Sequence, residues 1–391
     1  MTSAIVSLGW LPPMPHHVRG RRQTALCCPS RTIRPMPLEI FDSPRPTTLL
    51  PFSLWSAQGP EAGVLAQQAL PNLRQWLTQS QRVAVAVDAP AEPLLATLTP
   101  PHEQALGQIL GWPMVDGGLP WAARVAAERD LAAMQAHSGA SHQAPETHSH
   151  EASPESPSGW AFISLCNWHV SNGQVTLGDP AHLGLDADTD ATLFKAMQPF
   201  FAEDGIDLWP YKPGQWLARS PLFADLRTAS LDRVIGRNID PWLVGCETGA
   251  ERLSPAAQLV RRLQNEMQML LYTHPVNDNR RLTINSFWVH GTGALSKPLA
   301  YREPNVVQTL RSSALQQDFI GWLEAWHSVD AEVIAPLLAR VAAGESQRLV
   351  LCGEHEFQVY DSAAPSLWQR VRQRFAPLSL DTVLAVAPLK D

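Results

Sequence analysis

The stretch "WAFISLCNWHVSNGQVTL", Trp160 to Leu177, decides the fold. Order resumes here, and its first half reads as a strand. Its second half places Asn172-Gly173 between Val170 and Val175. Both central positions of a two-residue hairpin turn need positive φ, so Asn-Gly there is a strong hairpin signal. "DADTDATLFKAMQPFFAEDG" follows as a helix, with Asp188 or Thr189 as its cap and Gly205 at its end. "GQWLARSPLF" then reads as another strand. Trp160 to Phe223 is thus a ββαβ unit, and the chain is expected to be α/β or α+β, with a mixed sheet and helices.

Downstream, "ASLDRVIGRNIDPWL" reads as a helix with Leu231, Val234, Ile235, Ile239 and Trp242 on one side. Arg233 and Arg237, at i and i+4, then share a face: either a solvated one, or one that meets an anion. "SPAAQLVRRLQNEMQMLLYTHP" is a stronger helix. Ser254 can cap it, Pro255 sits at its first position, and Leu259, Val260, Leu263, Met267, Leu270 and Leu271 form an apolar stripe that Pro275 stops. "TINSFWVHGTG" is a strand entering a glycine turn. The C-terminal part reads as helix "SALQQDFIGWLEAWH", helix "DAEVIAPLLARVAAG", strands "QRLVLC" and "EFQVYD", helix "SLWQRVRQRFA" and strand "DTVLAVA". Trp322, Trp326 and Trp368 face inward in this reading. Arg370, Arg372 and Arg374 alternate along their helix and form no stripe.

Upstream, "TTLLPFSLW" from Thr47 is the first strand, and "EAGVLAQQALPNLRQWLTQS" is helical with a break at Pro71. "PPHEQALGQILGW" begins with Pro and ends at Gly111, as a short helix does. There His102-Glu103 is either an acid/base pair or a charged first helical turn. "DGGLPWAARVAAERDLAAMQA" is a turn and an Ala-rich helix. Residues 1–45 are expected to be a disordered N-terminal extension. They carry five Arg and no acid up to Leu38, and Met36 is a candidate later start. Residues 46–136 form an N-terminal α/β segment. Residues 137–159 hold four His but no large aliphatic or aromatic side chain, which predicts a disordered loop. Its His148 and His150 have no fixed geometry for a metal. Residues 160–391 hold the ββαβ unit and a C-terminal α/β portion.

The net charge of −7 argues against nucleic acid, which wants a basic face. No apolar run reaches the ~18 residues of a membrane span. Five Cys at irregular spacing, with no C-x-x-C, predict reduced thiols in the cytoplasm and no disulfide framework or zinc site. Cys166 and His169 point to opposite faces if they share a strand.

Chemistry gathers in "THPVNDNRRLTINSFWVHGTG", Thr273 to Gly293. Arg280 and Arg281 can donate in pairs to a phosphate or carboxylate. Asn277, Asn285 and His290 add directional hydrogen bonds. His274 lies past a helix C-terminus, where a protonated imidazole is favoured. Gly291 and Gly293 let backbone N–H groups approach an anion. Either this set, with Arg233 and Arg237, holds a small anion, or it is a structural crossover.

The same stretch resembles the "HP-x-N … R … AN-x-x-W-x-x-G-x-G" segment of archaeal-type cofactor-independent phosphoglycerate mutases, of the alkaline-phosphatase-like superfamily. Residues from about 45 to 390 are similar to bacterial proteins described as phosphoglycerate mutase-like or as RpfE-type regulatory proteins. "LTPPHEQALGQILGW", "DGGLPWAA", "SLDRVIGRN", "THPVN" and "NSFW" carry that likeness. The mutase resemblance implies two divalent metals, Mn or Zn, held by Asp and His, and a hydroxyl nucleophile. Such chemistry needs several convergent carboxylates. The chain offers Asp42, Asp88, half a motif at Asp116-Gly117-Gly118, and Glu354-His355-Glu356 in a predicted turn between strands. No G-x-S-x-G, P-loop or H-E-x-x-H is present.

The expectation is therefore a cytoplasmic regulatory or binding protein. It has a small-anion pocket for a phosphorylated or carboxylated metabolite, no cofactor and no metal. It binds neither nucleic acid nor membrane, and a protein partner is open. The alternatives are a metal-dependent phosphoglycerate mutase or phosphatase, and a structural interaction module.

Overall fold

The computed structural model describes residues 40–41, 45–57, 60–87, 97–129, 158–171, 173–246, 253–295, 303–362 and 380–386. All of them belong to one unit, residues 33–391. The expectations for residues 1–39, for Asn172, for the His-rich run 137–157, for Asp42 and Asp88, and for the helix 366–376 with Trp368, Arg370, Arg372 and Arg374 lie outside the described residues.

The elements run β1 (Thr47–Leu50), α1 (Pro60–Ala66), α2 (Pro71–Thr78), β2 (Ser80–Val87), α3 (Pro101–Ile109), α4 (Trp121–Glu128), β3 (Gly159–Cys166), β4 (Trp168–Ser171), β5 (Gln174–Leu177), α5 (Ala187–Glu203), β6 (Asp207–Lys212), β7 (Gln215–Ser220), α6 (Leu231–Val234), α7 (Pro255–Tyr272), β8 (Ser286–Gly293), β9 (Asn305–Val306), α8 (Arg311–Leu315), α9 (Phe319–Val329), α10 (Ala335–Ala342), β10 (Arg348–Cys352), β11 (Glu356–Ser362) and α11 (Asp381–Leu384). A five-stranded mixed sheet has the order β2-β11-β10-β1-β9, and a four-stranded sheet the order β6-β7-β3-β8. β1 is parallel to β10 and β9, whereas the second sheet is antiparallel throughout. The expected α/β chain with a mixed sheet is observed. The first sheet takes β1 and β2 from residues 46–136 and β9 to β11 from residues 160–391, so those two segments share one sheet.

Every residue of β3 is buried. Ala161, Ile163 and Leu165 face a core shared with α5 and α7, while Trp160 and Phe162 pack with Ala122, Ala123 and Ala126 of α4. The alternation is the strand's period of two. The larger sheet packs one face on α1, α2, α9 and α10 through Trp76, Trp322 and Trp326, and the other on α3 through Leu49, Val350 and Phe357. α3 lies on the five-stranded sheet and α4 on the four-stranded one, and Trp121 of α4 donates to Glu103 of α3.

Several expectations are corrected. The strand from Trp160 does not run on into the hairpin. It breaks at Asn167, and β4 and β5 form a two-stranded sheet of their own. Asn285 imposes the break, because its side chain accepts from the Trp168 N–H (2.7 Å) and donates to the Trp168 carbonyl (2.9 Å). The cap of α5 is Asp186, whose carboxylate accepts from the Thr189 N–H at 2.7 Å, rather than Asp188 or Thr189. The helix expected over 229–243 stops at Val234 because Gly236 has φ +75, so Arg233 and Arg237 share no helical face. The first strand ends at Leu50 rather than Trp55, and Phe52 follows at φ +58. "DTVLAVA" forms the short α11, with a single bridge from Ala385 to Trp55, in place of a strand. β2 and β6 were not expected. β6 carries Pro210, which is compatible only with an edge.

Where α9 meets α10, a π turn at Asp330–Ile334 inserts an extra residue. It delivers the buried Asp330 to the start of α2, whose own cap position, Leu70, has no side-chain acceptor. The Asp330 carboxylate accepts from the N–H groups of Leu73 (2.6 Å) and Asn72 (3.2 Å) and from the Asn72 amide (3.0 Å). A residue 258 positions away thus caps the helix.

Candidate functional site

β1 and β10 run parallel and end side by side, the position where open α/β sheets take ligands. Beyond β1 the chain turns through Phe52, whose left-handed backbone is costly for a residue with a large side chain. Beyond β10 it bends at Glu354 and His355, the turn expected between the two strands. Ser53 ties the two ends together: its Oγ accepts from the Cys352 N–H at 2.8 Å, and its own N–H donates to the Cys352 carbonyl at 2.7 Å. A cleft of about 810 Å³ opens there, bordered by Phe52, His102, Asp179, Asp232, Arg237 and Glu354, among others.

The charged groups in and behind it come from three separate helices and the loops between elements. Asp232 on α6 receives Arg311 from α8, with the guanidinium Nε at 2.9 Å and Nη2 also bonded. His102, second residue of α3, places Nε2 3.3 Å from the other Asp232 oxygen. Burial works to raise the Asp232 pKa, but the His102 hydrogen bond and the Arg311 charge outweigh it and hold the carboxyl well below the usual range. Arg311 also reaches Asp179 at 3.8 Å. Beside His102, burial pushes the Glu103 carboxyl up, although it accepts from Ser230 Oγ and from Trp121 Nε1 (3.1 Å). His102 and Glu103 do lie in the first turn of α3, as one of the two readings had it, but His102 is only 6% exposed.

Arg233 is buried, donating to the Glu354 carbonyl (2.9 Å), Thr97 Oγ1 (2.9 Å) and the Thr99 carbonyl (3.1 Å). Arg237 pairs with the Glu354 carboxylate at 2.5 Å. Both arginines therefore reach one acidic residue by tertiary packing, not by sharing a helix face. Burial disfavours the Glu354 carboxylate, and Arg237 more than offsets this, keeping its pKa below the ordinary value.

The other residues singled out in the sequence are divided among three places. At the turn after α7, Asn277 donates to the Leu271 (2.9 Å) and Ile284 (2.8 Å) carbonyls and accepts from the Ile284 N–H (2.8 Å). His274 Nδ1 caps the 3-10 turn Pro275–Asn277 by accepting from Val276. Arg280 donates to the Leu183 carbonyl, and Arg281 is exposed. Arg280 and Arg281 border a depression of about 570 Å³ whose wall includes His182, a residue that also borders the cleft.

His290 lies inside, on the sheet face with Phe162, its ring 5.2 Å from the Phe162 ring. Its Nε2 is 2.9 Å from Ser164 Oγ, and Gln215 Nε2 donates to that Oγ at 2.8 Å. Gln215 Nε2, which can only donate, also lies 3.2 Å from His290 Nε2, so that nitrogen accepts, Ser164 donates to it, and the proton of the neutral ring is assigned to Nδ1. Burial pulls the His290 pKa down to about 4, so the imidazole is neutral near pH 7.

Gly291 (φ +63) and Gly293 (φ +142) make room for the start of α4. A Cβ on Gly291 would come within 3.0 Å of the Phe162 ring and 3.2 Å of Trp121, and one on Gly293 within 3.1 Å of Pro120. The glycine pair meets packing side chains where the sequence suggested an anion cradle.

The residues at the strand ends do not fit the paired metals that the mutase resemblance implied. After β1 the run Pro51–Leu54 has Ser53 as its one oxygen-bearing side chain, and that hydroxyl is committed to Cys352. After β10, Glu354 is committed to Arg237. No group of three His, Cys, Asp or Glu able to hold a metal ion occurs among the described residues. No helix is long and apolar enough to cross a membrane among them either. The charged cluster was missed in the sequence because His102, Asp232 and Arg311 are 130 and 79 residues apart and belong to different elements.

No protein-family model and no curated protein matches the chain. Among solved structures it is similar to the cofactor-independent phosphoglycerate mutase from Thermoplasma acidophilum DSM 1728. The two are 13% identical over 81% of this chain and 89% of that one, with a TM-score of 0.32. A likeness that loose carries no argument about the site or its chemistry.

Proposed function

We propose that the chain is a binding protein of regulatory type that takes a small anionic metabolite, a phosphate ester or carboxylate, in the cleft at the ends of β1 and β10. The observation that supports this reading is the gathering of Arg233, Arg237 and His102 around one pocket of small-molecule size, with Arg311 behind them on Asp232. Arg237 is the group such a ligand would engage, because its side chain is 35% exposed and already oriented by Glu354. The depression at Arg280 and Arg281 belongs to the proposal as an approach to the same ligand, since His182 borders both spaces. A cytoplasmic location, a partner protein and kinship with RpfE-type regulators are further parts of the proposal.

The test is thermal unfolding of the full chain with inorganic phosphate and with 3-phosphoglycerate, each with and without Mn²⁺. A ligand that binds only the folded chain, at a hundred times its Kd, adds about 2.7 kcal/mol. The proposal expects a stabilisation without metal that Arg237→Ala removes. A shift removed by Arg280→Ala but not by Arg237→Ala would move the site to the outer depression. A shift seen only with Mn²⁺ would replace binding by metal chemistry, and no shift would end the proposal.

A further inference from the structure

A second cavity, of about 420 Å³, opens beside the start of α4 and shares none of the cleft's residues. Leu110, Trp112, Pro113, Pro120, Leu226 and Leu295 give it an apolar wall, and Asp225 and Arg227 bring charge to it. Its shape is fixed by the end of α3 and the turn that follows it. The Trp112 N–H donates to the Gly107 carbonyl (2.9 Å) and the Gly118 N–H to the Val115 carbonyl (3.0 Å). The Trp112 and Trp121 rings pack at 4.6 Å between centroids. On the opposite side the buried Thr292 donates to the Leu226 carbonyl at 2.6 Å, holding the end of β8, with Gly293 and the Ala294 that follows it, against the loop that carries Arg227. Gly293, whose role in the sequence reading was an anion cradle, lines this space, as does Gly118.

We propose that this cavity is a ligand site for a small molecule with an aliphatic or aromatic body and a single carboxylate that docks on Arg227. The volume lies in the range of small-molecule pockets, and such pockets combine apolar walls with one or two orienting polar groups. Arg227 is exposed, and its Nη1 donates to the Asp116 carbonyl at 3.2 Å. The guanidinium is thereby tethered at the edge of the wall rather than free to swing away, which lowers the ordering cost of meeting an anion. Its planar fork is the donor geometry a carboxylate matches. Asp225 would oppose a carboxylate and favour an amine, so the sign of the preferred ligand charge is the decisive measurement.

The experiment is isothermal titration of the full chain with octanoate, octanol and octylamine. It is repeated with Arg227→Gln and with Ala294→Phe, which places a ring in the cavity. The expected result is one saturable octanoate site and tighter binding of octanoate than of octylamine. Arg227→Gln should weaken octanoate about tenfold, the usual loss for one charge-assisted contact, and leave octanol unchanged. Ala294→Phe should weaken both. If circular dichroism shows that Ala294→Phe has unfolded the chain, Pro113→Trp on the exposed rim supplies the same plug. Octylamine binding more tightly than octanoate overturns the proposal. So does octanoate binding that neither plug affects, or the absence of saturable binding.

Discussion

At His290 two neighbours and one environment decide the behaviour of a single imidazole. Ser164 donates to it, Gln215 orients Ser164, and burial keeps it neutral with a pKa of about 4, against an ordinary value of 6.5. The unfolded chain binds a proton at this position between those two values and the folded chain does not. Stability from this residue is therefore complete above about pH 6.5 and lost as the pH falls toward 4. The loss amounts to ~3 kcal/mol at most. Asp232, with its lowered pKa, loses its contribution only below the ordinary carboxylate range, and Glu103, with its raised pKa, loses its contribution as the pH rises. Urea unfolding at intervals from pH 7.5 to 4.5 should show stability falling in the wild type. His290→Gln should flatten that fall while lowering stability at pH 7.5. An unchanged slope in the variant would mean that other groups carry it. None of this was legible from "FWVHGTG", because alternation along one strand does not say which hydroxyl on the next strand a histidine meets.

Among the elements, those whose signals are local were legible and those set by neighbours were not. α7 begins at Pro255 with Ser254 capping it (3.2 Å from its Oγ to the Ala257 N–H), and its Val260, Leu263, Met267 and Leu271 are buried, as the stripe required. The β4–β5 pair closes with Gly173 at φ +76. β2 was missed because "SQRVAVAV" is an edge strand whose Val83 and Val85 are exposed while only the small Ala84 and Ala86 pack on the core, so its larger apolar residues mark the outer face. The helix expected over 229–243 failed because its apolar spacing is met by a turn at Gly236 and a 3-10 turn at Asp240–Trp242. α2 is the clearest case of a dependent element, because its cap comes from Asp330. Asp330→Ala leaves the Leu73 and Asn72 N–H groups without that acceptor and should cost about 2 kcal/mol, the range for bonds to a charged group. Chemical denaturation should show this, with Asp330→Asn losing less. A loss no larger than that of a surface substitution would show that α2 does not depend on the cap.

On the scale of the whole molecule, the charged cleft draws on the ends of β1 and β10, the end of β5 and several helices, so its residues meet only when these are assembled. Composition and periodicity announced helices and strands in alternation, yet could not say that β1 pairs with β10 in the register Thr47 to Arg348. The five-stranded sheet is held by large side chains from widely separated helices. Trp322 is fully buried, with its indole N–H bonded to the Phe52 carbonyl at 2.7 Å. Trp322→Ala should cost about 3–5 kcal/mol, the range for emptying a buried tryptophan site. It should also loosen Phe52 at the cleft mouth, so that denaturation midpoint and ligand-induced stabilisation fall together. A fall in the midpoint with full ligand response would separate the core from the cleft. The β1–β10 pairing has one more consequence, in the order of synthesis. At roughly 5–20 residues per second, about 15–60 seconds separate the emergence of β1 from that of β10, the more central of its two parallel partners. Until then β1 has no central strand to join, and the edges of the nascent sheet stand open to other chains. On a ribosome, the first strand to be made is among the last to find its place.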